Sequence, residues 1–418
     1  MSYKNGLSSM SDSKEINIEK TSTENSHVDE CTAKANMINL SNIKLERVPF
    51  SEQLSKIERE WDELLASSTR PSIYASYHYI NLSVKYFSHA SEETFCLLMR
   101  DTTSGRLLAI FPMSIGIRKI RKKQVRVLEH CITTNHSDVD KPYPVIHNRY
   151  ETECWTLFHR YFTTEYTNWD WLEYDELIPE SKLNGLLKKL YKFPDYLARQ
   201  QKGPVSPLVD LSGSWENFQQ QHRNMRKKAK RMKKKLGDGF SYKVYNKHED
   251  MSRCIDLYVS TESAGWKANK GVSENNNQKF YREVLPLLAK KGQVYFGILF
   301  DHDTPVSAEM SYVYLDTVYF AHGAFHPDYK HLSPGSVSTS MSIEYFHGKN
   351  YRDGDFLAGY ADYVNPLAYK QDPTKDTVVF KVNYIFVYYL IDTFFRKTKS
   401  KLKRIMRRIW NKKQNNAD

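Results

Sequence analysis

The sequence predicts an α/β protein made of two related units, on three observations. Two segments share one hairpin pattern, TFCLLMRDTTSGRLLAIFPMSI from Thr94 and QVYFGILFDHDTPVSAEMSYVY from Gln293, each with two apolar runs joined by a polar turn. Each hairpin leads into a further strand, QVRVLEH from Gln124 or TVYFAHGAF from Thr317, and then a helical pattern, ETECWTLFHRYF from Glu151 or GSVSTSMSIEYF from Gly335. Each unit then closes on a strand that opens with an acid or an aromatic residue, WDWLEYD from Trp169 or DGDFLAGY from Asp353. Two copies of β-β-β-α-β, divided near Gly203 and Pro207, imply two α/β domains. A chain of 418 residues is long enough to bury both cores.

The expected organisation is an N-terminal tail over 1–40, a first domain over 41–204, a second over 205–372 and a basic amphipathic tail over 373–418. The first forty residues are rich in Ser, Thr, Asn, Glu and Lys, with Tyr3 as the one aromatic, so they predict disorder rather than a signal peptide. Cys31, Cys96, Cys131, Cys154 and Cys254 are scattered without a CxxC, the pattern of buried thiols in a reducing compartment such as the cytoplasm.

The net charge of +12 is local. His222 to Lys235 holds nine Lys or Arg and no acid, Arg396 to Lys413 holds ten and no acid, and the rest of the chain carries a net −7. Between the two units, Trp215, Phe218, His222, Met225, Ala229, Met232 and Leu236 recur in steps of three and four. They predict an amphipathic helix with its apolar seam on the second domain, stopped at Gly237 and Gly239. Its basic face either meets solvent or attracts an anion. Because Arg223 to Lys235 contains no aromatic for base stacking, no specific nucleic acid is expected as a partner. At the C-terminus, Leu402, Ile405, Met406, Ile409 and Trp410 recur at helical spacing among basic residues. That pattern suits either a helix on an anionic membrane surface or one packed on the body.

Four stretches hold candidate chemistry. LSPGSVSTS follows a strand and opens a helix, so Ser333, Pro334, Gly335, Ser336 and Val337 form either a capped turn or an N-terminal anion site for phosphate. TESAGWKANKG sets Glu262, Trp266 and Lys267 in one turn, as a ligand loop or a helix cap. Glu309 sits mid-strand in PVSAEMSYVYL, on the face opposite Val306, Ala308, Met310 and Tyr312, where an acid needs a solvated face or a cleft. His322, His326 and His331 suggest a metal, but Pro327 prevents helical HxxxH alignment, so no metal is expected. Walker, GxSxG and GxGxxG motifs are missing from the sequence, against the commonest nucleotide, hydrolase and dinucleotide sites.

In combination, the basic helix after PLVDLSGSWENF, ESAGWKANKG, the GILFDHDTPVSAEMSYVY hairpin, LSPGSVSTSMSIEYF and RDGDFLAGYADY resemble the BioF/CelD-like acetyltransferase family. That family lies in the GNAT superfamily and is related to the Fem-type aminoacyl transferases; TTNHSDVDKPYPV, from Thr133 to Val145, resembles its first-domain loop. The resemblance spans about residues 45–370. It implies tandem GNAT-like domains, each a mixed, mainly antiparallel sheet flanked by helices, that move an acyl group from acyl-CoA (acetyl-CoA) to an amine or hydroxyl.

By position, the resemblance assigns the donor pyrophosphate to Ser333–Val337, although HLSPGS has one glycine where the family's loop has more, which leaves aminoacyl-tRNA open as donor. Glu309 is the expected base, with Glu262 and His322 as competitors. Trp266, Lys267, Arg223 and Arg226 are expected to hold substrate or donor phosphates, and Asp355 to orient the acceptor. The acceptor class is a sugar or lipid-linked envelope or polysaccharide precursor, met at the inner face of the plasma membrane. The alternatives are a Fem-like aminoacyl-tRNA-dependent transferase and an inactive GNAT scaffold that binds anionic membrane or nucleic acid.

Overall fold

The first unit runs β1 (Ile43–Pro49), α1 (Glu58–Ala66), α2 (Tyr77–Phe87), β2 (Glu93–Asp101), β3 (Leu107–Ile120), β4 (Lys123–His130), β5 (Val145–Ile146), α3 (Glu151–Arg160), β6 (Trp171–Leu177), α4 (Lys182–Leu190) and β7 (Tyr196–Asp210). The second begins with helices α5 (Trp215–Gln221) and α6 (Arg223–Leu236). It continues through β8 (Phe240–Tyr245), α7 (Met251–Ser263), α8 (Asn275–Lys290), β9 (Val294–Asp301), β10 (Thr304–Tyr314), β11 (Thr317–Phe325), α9 (Pro334–Phe346), β12 (Asp353–Asp355) and β13 (Lys370–Lys381). These elements come from a computed structural model that describes residues 39–403, apart from 51, 89–92, 121–122, 133–138, 266–270, 359–363, 392, 396–397 and 399–402. The tail expected over 1–40 and the amphipathic pattern at 402–410 therefore lie almost wholly outside the described residues.

The β-β-β-α-β pattern is present twice, and in both units a strand and two helices precede it. The strands join in one sheet, β1-β2-β3-β4-β6-β13-β7-β12-β11-β10-β9-β8, whose order is the same from either end. Neighbours are antiparallel except β4 with β6 and β11 with β12, where a helix makes the crossover that parallel pairing requires. The centre of the sheet is an exchange: β7 follows β6 in sequence but pairs with β12, and β13 follows β12 but pairs with β6. β7 and β13 pair with each other from Lys370 opposite Leu208 to Lys381 opposite Tyr196. The 204/205 and 372/373 divisions fall inside these two strands, and Leu40–Asp418 forms a single compact unit.

One face of the second half-sheet packs Ala308, Met310, Tyr312 and Ala324 against Cys254 and Tyr258 of α7 and Phe280, Tyr281 and Leu285 of α8. The other face lies under α9, α5 and α6. The predicted basic helix is two helices, because the chain leaves helical geometry at His222 (φ −112°, ψ 48°), whose ring rests on Phe218 at 4.3 Å. The seam itself is as expected: Met232 is fully buried among Leu299, Val306, Leu332 and Val337, while Arg223, Arg226 and most of the Lys residues are exposed. The four described cysteines, Cys96, Cys131, Cys154 and Cys254, are buried and free. No helix among the described residues is long and apolar enough to cross a membrane.

Candidate active site

Glu309 lies in the middle of β10, opposite Gly297 of β9 and Gly323 of β11. Directly opposed residues share a face, so two glycines leave a hollow on either side of the carboxylate. Helix α9 and β8 fill part of it. Thr339 Oγ1 donates to Glu309 Oε1 at 2.5 Å, Ser342 Oγ donates to Oε2 at 2.6 Å, and the Tyr242 hydroxyl meets Ser342 Oγ at 2.8 Å. A Cβ on Gly297 would collide with that Tyr242 hydroxyl, so the network depends on the missing side chain. Burial pushes the Glu309 carboxyl up to about 7, and the two hydroxyl donors only partly offset it. A carboxyl with that value can take or give a proton near neutrality.

Beside Glu309 the sheet opens. The parallel ladder of β11 with β12 runs only from Thr317 opposite Asp353 to Tyr319 opposite Asp355, while β11 itself continues to Phe325. A shift in register at Met310/Ser311 marks a bulge at the same level. A cavity of ≈ 760 Å³ occupies the parting, bounded by Phe320–Phe325 on one side and Phe356, Ala358 and Val364 on the other. Glu262, Glu309 and His322 all line it, as do Thr339, Gly335 and Lys330.

The three candidate bases do not act as a cluster. His322 points to the α8 face, where its Nε2 meets the Tyr281 hydroxyl at 2.8 Å, whereas Glu309 points to the α9 face. Glu262 is 2 % exposed, and its Oε2 accepts from the Ser273 amide at 2.6 Å, so the carboxylate clamps the loop that follows α7. A Cβ on Gly271 would strike the same carboxylate.

At the start of α9, Ser333 adopts a left-handed conformation (φ 56°, ψ 52°) and turns the chain into the helix, with Pro334 at its first position. Pro334 has no N–H and the Val337 amide donates to Ser333 O at 3.2 Å. The amides of Gly335 and Ser336 are the N-terminal donors that the helix does not use itself. Of the five residues expected here, Gly335 lines the cavity; Ser333, Pro334 and Ser336 are not among the residues around it, and Val337 is fully buried in the core against Met232.

Arg223 and Arg226 are exposed on α6, which packs on α9, and neither is among the residues around the cavity. Trp266 and Lys267 lie outside the described residues. Asp355 faces a second cavity, where Lys141 Nζ donates to its Oδ2 at 2.9 Å. Lys330, Thr339, Ser342 and Tyr242 escaped the sequence reading. The signal for the hydroxyls was there, with Ser336, Ser338, Thr339, Ser340 and Ser342 crowded into seven positions of a helix that covers a sheet. Among the described residues no group of three or more His, Cys, Asp or Glu is placed to hold a metal ion.

The family model for the acetyltransferase (GNAT) domain matches residues 219–370. The crystal structure of FemX superposes with a TM-score of 0.54 at 8% identity, over 83% of this chain and 100% of that one. The C-terminal domain (DUF2156) of a putative lysylphosphatidylglycerol synthetase from Agrobacterium fabrum gives 0.48 at 11% identity, over 81% and 96%. A tandem GNAT protein from the clavulanic acid biosynthesis pathway gives 0.40 at 10% identity, over 81% and 99%. No curated protein matches the sequence. Residues 219–370 are thus similar to a GNAT acetyltransferase domain, within a fold like that of FemX.

Proposed function

We propose that the protein is an acyltransferase of the BioF/CelD-like kind that moves an acyl group from acyl-CoA to an amine or hydroxyl of a sugar or lipid-linked precursor. The observation that carries this is the ≈ 760 Å³ cavity at the parting of β11 and β12, lined both by Gly335 in the first turn of α9 and by the buried Glu309. The donor's pyrophosphate sits on the Gly335 and Ser336 amides beside Lys330, where helix dipole and cation both favour an anion. Its acyl arm runs along β11 into the parting.

The acceptor nitrogen or oxygen attacks the thioester carbonyl, the C–S bond breaks, and the departing thiolate takes up a proton. The acceptor's own proton passes to Glu309 by way of the Thr339 hydroxyl, the hydroxyl that both touches the carboxylate and lines the cavity. Free thiol released from acetyl-CoA and longer acyl-CoAs, with amine and sugar acceptors, tests the assignment. Glu309→Gln is expected to lose at least a hundredfold in turnover with the fold intact; near-normal turnover removes Glu309 as base.

Aminoacyl-tRNA is the second donor reading, favoured by the single glycine of HLSPGS and by the exposed basic face of α6. It predicts donor binding that weakens steeply with salt.

The same proposal puts the protein at the cytoplasmic face of an anionic membrane. After β13 a helix from 384 seats Ile385 and Phe386 on Trp171 and Phe380, yet leaves Tyr384, Val387, Leu390, Ile391, Phe394 and Phe395 exposed. A helix apolar on both faces requires a second apolar cover, and ten basic residues follow it. Vesicles with anionic lipid are expected to sediment the protein and neutral vesicles to leave it in solution; equal behaviour would contradict the placement.

A further inference from the structure

The second cavity, of ≈ 280 Å³, is lined from both halves of the sheet, by Arg70, His130, Asp140 and Lys141 from the first and by Asp355 and Asp372 from the second. Its wall is unbalanced in charge. Lys141 Nζ donates to Asp355 and Asp372 at 2.9 Å each and stands 4.0 Å from Asp140 Oδ1. Three carboxylates, Asp140, Asp355 and Asp372, thus face two cations, Lys141 and Arg70. Asp140 is 7 % exposed; its Oδ2 accepts from the Ala358 amide, and its Oδ1 is buried with no hydrogen-bond partner.

His130 is 9 % exposed, and its Nδ1 meets the Ile132 carbonyl at 2.9 Å while its Nε2 is buried and unpartnered. Burial keeps this imidazole neutral, with its pKa lowered to about 4. With the Nδ1 proton on the Ile132 carbonyl, Nε2 is an acceptor. Arg70 Nη1 is a third buried atom without a partner, and it is a donor.

Buried polar atoms are rarely left without a partner, so three around one cavity need a reason. Together they describe a ligand: a cation to balance the acids, a donor for His130 and an acceptor for Arg70. The volume equals about nine waters at ~30 Å³ each, which suits a monosaccharide. Tyr74 and Tyr319 also line the cavity and add apolar surface to its wall.

We propose that this cavity binds a small polyhydroxylated amine of amino-sugar size, with its ammonium on Asp140 and its hydroxyls on His130 Nε2 and Arg70 Nη1. The site is argued from its own walls and does not rest on acyl transfer. It is nonetheless close to the first cavity, since Asp355 and Leu357 line the second while Phe356 and Ala358 line the first.

Calorimetry on the full chain, without any acyl donor, tests the site with three probes: glucosamine, N-acetylglucosamine and glucose. Glucosamine is expected to bind saturably and at least tenfold more tightly than the two uncharged sugars. Asp140→Asn should weaken it at least tenfold. Because that change also touches the Ala358 contact, Arg70→Gln serves as a second variant, expected to weaken glucosamine severalfold with unchanged thermal unfolding. Equal affinity for all three sugars, wild-type affinity in both variants, or no saturable heat with glucosamine at roughly 10 mM would each overturn the proposal.

Discussion

Replacing Glu309 by Gln separates the chemistry of a buried carboxyl from its packing. In the folded protein the group titrates at about 7, against an ordinary carboxyl value of 4.5, and burial is the main cause. The folded state therefore holds a proton that the unfolded chain releases between those two values. The sign follows: the contribution to stability is fully present below about pH 4.5, falls as pH rises through 7, and is gone above it. At about 1.4 kcal/mol per pH unit of displacement, wild type should lose about 3 kcal/mol from this one group across the window.

Gln has the same shape and does not titrate. Its amide can donate to one of the two hydroxyls, which rotates to accept, so a constant offset of about 1 kcal/mol is expected. Urea unfolding of both proteins at pH 5, 6, 7 and 8 checks this. The variant should gain about 2.5 kcal/mol relative to wild type between the ends of that series, since part of the window lies below pH 5. A difference that stays flat with pH would refute the account of Glu309 as a buried, proton-holding carboxyl. Turnover by wild type, in the proposed reaction, should rise through about pH 7 as the base ionises.

Other perturbations follow from single contacts. Gly297→Ala drives a methyl into the Tyr242 hydroxyl and to within 2.9 Å of its ring carbon, so it should cost about 1–3 kcal/mol. Tyr242→Phe removes the colliding oxygen and should restore part of that loss in the double variant, measurable as a non-additive cycle. Met232→Ala empties a fully buried position between α6 and α9 and should destabilise by about 2–5 kcal/mol in urea melts, whereas the exposed Lys233→Ala should change little. Lys330→Glu places an acid at the mouth of the first cavity and should weaken binding of any polyphosphate donor at least tenfold without changing the melting temperature.

The hairpins and crossover helices were legible because their signals are local: alternating apolar residues around a polar turn, then a change to helical spacing. A helix through Ile255, Leu257 and Tyr258 was legible before TESAGWKANKG and is α7, but α8 was overlooked, although Phe280, Tyr281, Val284, Leu285 and Leu288 have helical spacing around Pro286. The exchange of β7 and β13 could not be read, since pairing between Tyr196–Leu208 and Lys370–Lys381 leaves no mark in either segment alone.

The same holds at the sites. Glu309 stood out as an acid inside an apolar strand, whereas its hydroxyl partners Thr339 and Ser342 were missed, although they belong to a polar run in a covering helix. Asp355 drew attention as an acid opening a strand, but its partner Lys141 is 214 residues away, in a stretch that showed only a loop. Glu262 was seen as a carboxylate in a turn; only the Ser273 amide bound to it reveals a clamp.

In the proposed reaction the first cavity holds an acyl-CoA, with its phosphates on the Gly335 and Ser336 amides. Calorimetric titration with acetyl-CoA and longer acyl-CoAs at two salt concentrations, beside Ser336→Glu, tests it most directly. Saturable binding to wild type, lost in the variant, is the predicted result. No binding to any acyl-CoA, or equal binding to the variant, would contradict it.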